Sequence, residues 1–263
     1  MFFRRKKDDD IIVDCYTHNE FAYNFAKINY GYHYIPEWWK KTSQFVQPSD
    51  TSQYHYSDAK EMTIRNCPGF VQYYKKSIVL PMWCEMLIQI TRKGEDNLFH
   101  WESSNKCEVQ FHPQFQFKKF SGQEGFSLKI ISPWFLKCKE NIDFAYSQPV
   151  WSQRDLLFNL ILLPGILNFK NQMATHLNYF FERGDAPKEV RIQPRTPMLM
   201  LHPLSERKVK LRHHYIKKES DERSFLQMPI NGMLFDDYPN PIPTKKRDKL
   251  WKEIDETDGD IYK

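Results

Sequence analysis

Residues 77–92 read SIVLPMWCEMLIQITR and form one of the most apolar windows of the chain. Their β-branched and aromatic side chains predict a central β-strand, with a bulge or an edge at Pro81, which has no backbone N–H to donate. Alternate residues of a strand point to opposite faces. The two predicted faces are an apolar one with Cys84, Met86, Ile88 and Ile90, and a mixed one with Trp83, Glu85, Leu87 and Gln89.

Glu85 is the one acid in this window. An unpaired carboxylate is costly to bury in a sheet, so we expect Glu85 to be a buried acid with an Arg, Lys or Tyr partner. Two kinds of role stay open. One is a catalytic acid in a cleft, and the other is a structural ion pair or a surface acid facing an edge.

Many other short segments are predicted to be strands, several of them because apolar and polar residues alternate along them. These segments are 11–16, 98–103, 108–112, 126–132, 190–193, 197–202 and 208–215. Their number and spacing predict a mainly β fold, an antiparallel β-sandwich or jelly roll, with a double-stranded β-helix as a variant. Short helices are expected at 36–42 and 67–76, and residues 20–30 are compatible with a helix or a strand.

The chain divides by composition into two parts. Residues 1–216 are expected to form the β-sandwich domain with its short N-terminal helices. Residues 217–263 are charged and Pro-rich, and they predict a C-terminal arm with a terminal helix at 245–256. An arm of this kind is ordered only where something covers it, so we expect proteases to cut it in the isolated protein.

The composition of the chain favours some classes of function and excludes others. The chain has 263 residues, a net charge of +5 and 16% aromatic residues, which suits a sizeable β core and broad contact surfaces. Five widely spaced cysteines predict free thiols in a reducing compartment and argue against a zinc site. Gly-rich phosphate loops and the GxSxG nucleophile motif are absent from the sequence. The sequence shows no signal peptide and no apolar run long enough for a bilayer, so we expect synthesis in a cytoplasm and no membrane partner.

Several short motifs occur in a fixed order along the chain. They are PEWWKKT at 36–42, CPGF at 67–70, LPMWCE at 80–85, SPW at 132–134 and IQPRTPMLMLHP at 192–203. This set resembles a family of uncharacterised proteins of tailed bacteriophages, particularly marine and cyanobacterial myoviruses, over about residues 30 to 210. The resemblance implies a viral source and a β-rich fold, but no activity and no functional residues. The family pattern has a glycine where this chain has Arg195, so the resemblance leaves the backbone geometry of that turn open.

One enzymatic hypothesis is a non-haem Fe(II) site. His100 and Glu102 would share a face of one strand, and His202 would join them from a late strand as the third ligand of a two-His-one-carboxylate site. Arg212 would then bind an acidic co-substrate. The alternative is an ordinary polar strand face with Trp101 in the core. A cupin-like metal site is a variant that would use His112, His176 and Glu108.

Two contact surfaces are predicted. Alternation places Lys208, Lys210, Arg212 and His214 on one strand face, which would meet phosphates or an acidic partner, or simply be solvated or protect an edge strand. Aromatic residues at Tyr34, Trp38 and Trp39 fit a protein-contact site, or else they fill the core over the short helices.

The main functional hypothesis is a phage-encoded structural or interaction protein without a cofactor, associated with the virion and made in the host cytoplasm. Its partners would be other phage proteins or further copies of itself, while nucleic acid is possible but less favoured. The alternative is an oxygenase-like or cupin-like metalloprotein that uses Fe(II).

Overall fold

The computed structural model describes residues 10–46, 61–93, 96–112, 125–152, 160–170, 174–182, 188–216 and 260–261. Across these ranges the chain is mainly β, with several antiparallel sheets and three short α-helices. This arrangement confirms the predicted fold class, and it is consistent with a sandwich and not with a barrel. The predicted helix at 245–256 and almost all of the predicted arm lie outside the described residues.

The strands of the described residues follow one another along the whole domain. They are β1 Ile11–Thr17, β2 Asn29–Tyr30, β3 Ile78–Pro81, β4 Met86–Lys93, β5 Asp96–Ser103, β6 Glu108–His112, β7 Gly125–Lys137, β8 Asp143–Ser147, β9 Ile161–Leu162, β10 Gly165–Asn168, β11 Ala174–Glu182, β12 Lys188–Ile192, β13 Pro197–Pro203, β14 Val209–Tyr215 and β15 Asp260–Ile261. The helices are α1 Glu20–Phe25, α2 Glu37–Lys41 and α3 Pro68–Lys75. Both predicted helices and the predicted strands are therefore confirmed, and residues 20–30 form α1 followed by β2.

The strands build three sheets. The largest has seven strands in the order β15-β14-β1-β7-β11-β9, with β6 also paired to β7. A five-stranded sheet has the order β10-β8-β13-β3-β2, and a three-stranded sheet has the order β12-β4-β5. Neighbouring strands are antiparallel except for β1 and β14, which run parallel. One large apolar cluster joins the inner faces of all three sheets.

The predicted central strand at 77–92 is in fact two strands in two different sheets. β3 belongs to the five-stranded sheet and β4 to the three-stranded sheet. Pro81 lies opposite Pro197, and because neither proline has an N–H to donate, the ladder ends there. Met82 then exchanges backbone hydrogen bonds with the turn that precedes β13, donating to Thr196 O and accepting from Arg195 N, both at 2.8 Å.

The apolar face predicted for this stretch is confirmed, since Cys84, Met86, Ile88 and Ile90 are all buried. Trp83, which was predicted to lie on the mixed face, is also completely buried. It lies in the crossing segment between β3 and β4, and its indole Nε1 donates to Lys106 O at 3.4 Å. The strict alternation of a strand does not apply to such a crossing, so periodicity misassigned this residue.

Arg195 has a left-handed backbone, with φ at 68°. This conformation is strained for residues other than glycine, which explains why a glycine suits this position. The Arg195 side chain reaches away from the turn, and its Nε donates to Phe25 O at 2.9 Å. Arg195 therefore combines a strained turn with a tie between that turn and the end of α1.

Candidate functional site

A buried ion cluster connects the two parallel strands of the large sheet. In the register of β1 and β14, Asp14 lies opposite Arg212 and Tyr16 lies opposite His214. Two guanidinium nitrogens of Arg212 each lie 2.6 Å from an Asp14 carboxylate oxygen, Nε from Oδ1 and Nη2 from Oδ2. The His214 Nε2 lies 2.8 Å from Asp14 Oδ1. One carboxylate thus pairs with two side chains of the neighbouring strand.

The electrostatics of Asp14 follow from these contacts. Burial disfavours its charged form, but hydrogen bonds from His214 and Arg212 outweigh burial and hold the pKa of Asp14 below its ordinary value. The His214 ring also stacks on Tyr16, with ring centroids 4.5 Å apart. When Nε2–H donates to Asp14, Nδ1 is left as an acceptor, and it has no hydrogen-bond partner among the described residues. The cluster orients an imidazole and stabilises the contact between β1 and β14.

The predicted basic contact face is therefore wrong in part. Lys208 and Lys210 are exposed, and Lys210 forms a surface ion pair with Asp10 at 2.7 Å. Arg212 and His214 turn inward to Asp14, so they are not available as a contact face or as a binding group for a co-substrate. Alternation along β14 correctly places all four on one side, but it does not show that Asp14 of β1 lies beside two of them.

The predicted Fe(II) ligands are not brought together. His100 and Glu102 do share a face of β5, and His100 Nε2 lies 3.0 Å from Glu102 Oε1 in an exposed pair. His202 lies on β13 in another sheet, where its Nε2 is 3.0 Å from Tyr73 O and burial lowers its pKa. Nowhere in the described ranges do three or more His, Cys, Asp or Glu side chains group in a way that would hold a metal ion.

Glu85 has the basic partner that was predicted, but it is not a buried acid. Its Oε1 lies 3.4 Å from Arg191 Nη1 and 3.3 Å from Gln193 Nε2. The Glu85 side chain is 42% exposed, because Glu85 lies in the segment between β3 and β4 and not within a strand. The structure therefore supports the structural ion pair over a catalytic acid.

The predicted aromatic surface separates into a buried and an exposed half. Trp39 is buried, its ring stacks on Phe70 with centroids 5.0 Å apart, and its indole Nε1 donates to Ile64 O. Trp38 is 43% exposed and lies next to Trp151, which is 44% exposed. Trp39 thus fills the core, and Trp38 remains as a candidate contact residue. Sequence reasoning missed Trp151.

Trp38 and Trp151, hereafter the tryptophan pair, are held in a fixed position. The Trp38 indole Nε1 donates to Trp151 O at 3.1 Å, and the two ring centroids are 6.1 Å apart. Phe70 of α3 packs against both rings, at 5.9 Å from Trp38 and 5.4 Å from Trp151. Two large apolar side chains are consequently presented side by side over a packed base.

The segment that carries Trp151 is also tied to its surroundings. Ser152 Oγ lies 2.8 Å from the Tyr74 hydroxyl and donates to Tyr34 O at 3.0 Å. The Tyr73 hydroxyl donates to Gln148 O at 3.0 Å. Tyr34, the third residue of the predicted aromatic surface, therefore contributes its backbone to this support and is itself partly buried.

Comparison of the chain with protein-family models, with curated proteins and with solved structures found no match. None of the helices in the described part of the chain combines the length and the apolar character that a bilayer crossing requires.

Proposed function

We propose that this chain is a phage-encoded structural or interaction protein of the virion, and that it binds another phage protein through the tryptophan pair. The observation that carries the proposal is the side-by-side exposure of Trp38 and Trp151 on a support of packed rings and hydrogen bonds. Tryptophan is among the residues that contribute most to binding at protein interfaces. Prior fixation of both rings reduces the conformational entropy that binding costs.

The surroundings of the tryptophan pair favour an acidic partner. Lys41 follows Trp38 by one helical turn of α2, so the two side chains lie on the same side of the helix. Lys41 is exposed, whereas Lys40 forms an ion pair with Glu37 at 2.6 Å. The partner that fits this surface presents an apolar side chain to the two indoles, with acidic residues beside it.

Purified particles of the encoding phage test the proposal in two steps. Mass spectrometry first establishes whether the chain is present in the particle, and cross-linking then identifies the phage protein that contacts residues of α2. We expect both results. Absence of the chain from particles would remove the virion assignment. A cross-link only to other copies of the chain would replace the partner by self-association.

Binding measurements with the identified partner then test the tryptophan pair itself. Trp38→Ala and Trp151→Ala should each weaken the affinity by about 30-fold, since truncation of an interface tryptophan commonly costs ~2 kcal/mol. Trp101→Ala is the matched control, because Trp101 is an exposed tryptophan on β5 of the three-stranded sheet and is not part of the tryptophan pair. Equal loss in all three variants, or no loss in the first two, would contradict the proposed surface.

A further inference from the structure

Two of the five cysteines meet where the chain passes from the five-stranded sheet into the three-stranded sheet. Cys84 lies in the crossing between β3 and β4, and Cys107 lies directly before β6 of the seven-stranded sheet. Both cysteines carry free thiols, and the two thiols are hydrogen-bonded to each other. The contact therefore joins the beginnings of two strands that belong to different sheets.

The segments that carry the two thiols are held side by side by other hydrogen bonds. Ser104 N donates to Glu85 O at 3.0 Å, and Glu85 N donates to Ser104 Oγ, also at 3.0 Å. The Trp83 indole Nε1 donates to Lys106 O at 3.4 Å. Trp83 and Glu85 flank the first cysteine, and Lys106 directly precedes the second. The approach of the two sulfur atoms is therefore fixed by the backbone on both sides and not by the thiols alone.

The two thiols differ in acidity and in their access to solvent. The hydrogen bond from the Cys107 thiol lowers the pKa of Cys84; burial opposes this change, and a backbone hydrogen bond from Asn105 adds to it. The same contact between the thiols, followed by burial, raises the pKa of Cys107. Cys84 is completely buried, whereas Cys107 is partly exposed. Cys84 is consequently the thiol that more readily forms a thiolate, and a small reagent reaches the pair from the side of Cys107.

We propose that Cys84 and Cys107 are a redox modification site, at which hydrogen peroxide oxidises the two thiols to an intramolecular disulfide. The Cys84 thiolate attacks one oxygen of the peroxide, the O–O bond breaks, and the released hydroxide takes up a proton and leaves as water. The Cys107 sulfur then displaces the hydroxyl group of the resulting sulfenic acid, which leaves as water with the Cys107 proton. Two thiols and one peroxide thus give one disulfide and two water molecules.

The remaining cysteines provide an internal comparison. Cys15 and Cys138 are buried, and burial raises the pKa of both thiols, which makes them less reactive. Cys67 is partly exposed directly before α3. Oxidation of the proposed site alone would link the crossing segment to the start of β6. Such a link restricts the unfolded chain, so the oxidised protein should be the more stable form.

Peptide mapping of the full chain tests this site. The folded and fully reduced protein is treated with hydrogen peroxide, the remaining thiols are blocked with iodoacetamide in denaturant, and the digest is analysed by mass spectrometry. We expect one dominant cross-linked peptide pair that contains Cys84 and Cys107, with Cys15 and Cys138 recovered as blocked thiols. Sulfinic or sulfonic acid at the pair in place of the cross-link would overturn the proposal, and so would cross-links to Cys67 in similar yield.

Thermal unfolding provides a second measurement. Peroxide treatment should raise the Tm of the parent chain by about 5 °C or more, because the disulfide constrains the unfolded chain, and a reducing agent should reverse the rise. Cys107→Ser should show no rise. Cys67→Ser is the matched control at the other partly exposed cysteine, and it should respond as the parent chain does. An equal rise in Cys107→Ser and the parent chain would overturn the proposal. Mapping of the parent chain needs no variant, so it decides the matter even where Cys107→Ser does not fold.

Discussion

Replacement of Asp14 by asparagine is the sharpest test of how the large sheet is held together. Asparagine preserves the shape of the side chain but removes the charge that binds Arg212 and His214. Its amide nitrogen would also face one of these two donors, and two donors do not form a hydrogen bond. Asp14→Asn should therefore destabilise the contact between β1 and β14 without creating a cavity.

The magnitude follows from the burial of the three side chains. Removing one member of a buried ion pair typically costs ~3–5 kcal/mol, because the partner is left without compensation. The Arg212 side chain is 31% exposed and gains water when Asp14 is neutral, whereas the His214 side chain is 5% exposed and does not. We therefore expect Asp14→Asn to lower the free energy of unfolding by about 3 kcal/mol, the low end of that range. In a domain of this size that corresponds to a loss of about 6–12 °C in Tm.

Thermal unfolding between pH 3 and pH 8 provides the measurement. The pKa of Asp14 is lower in the folded protein than in the unfolded chain, so its contribution is present above the unfolded pKa of ~4. That contribution disappears as pH falls through the depressed folded pKa. The curves of the parent chain and of Asp14→Asn should be separated from about pH 5 upward and approach each other below about pH 4.

Asp10→Asn is the matched control, because Asp10 pairs with Lys210 beside the same two strands but at the surface. Surface ion pairs contribute little and are screened by salt, so this variant should melt at nearly the temperature of the parent chain. Similar losses in both variants would refute the argument, since burial would then not distinguish the two pairs. A separation between the parent chain and Asp14→Asn that persists unchanged at pH 3 would refute the assignment of the effect to the Asp14 charge.

Three further changes are predicted, each measured by denaturant unfolding. Arg195→Gly should be more stable than Arg195→Ala by about 1 kcal/mol, because both lose the bond to Phe25 O but only glycine relieves the left-handed backbone; equal stabilities would contradict the strain. Gly31→Ala should lower the free energy of unfolding by about 1–3 kcal/mol, since a Cβ at this position collides with the Tyr74 carbonyl. Unchanged stability would show that the backbone at Gly31 moves away without cost. Trp39→Ala should cost about 3–5 kcal/mol as a buried ring is lost, far more than Trp38→Ala at its exposed neighbour, and the reverse order would contradict the assignment of the two tryptophans.

Much of the fold is predictable from the sequence because it depends on near neighbours. Alternation of apolar and polar residues identified β5, β6 and β14, since a half-buried strand needs a period of two. The runs at β1 and β13 were predicted as strands without such alternation, and both are buried over most of their length. Alternation also identified the buried face with Cys84, Met86, Ile88 and Ile90, although Cys84 lies in the crossing between β3 and β4. Pro81 was correctly predicted to disrupt the strand. Its effect is larger than predicted, because the pairing of β3 ends there and the chain continues into a different sheet.

The candidate sites depend on strand pairing, which a single sequence does not reveal. Asp14 and Arg212 are 198 residues apart and meet only because β1 and β14 pair in parallel, in a register set by the rest of the sheet. Trp151 joins Trp38 across 113 residues. Sequence periodicity therefore determined which side chains share a face of their own strand. The tertiary structure alone decided which strand lies alongside, and with it which charges are neutralised and which tryptophans are exposed together.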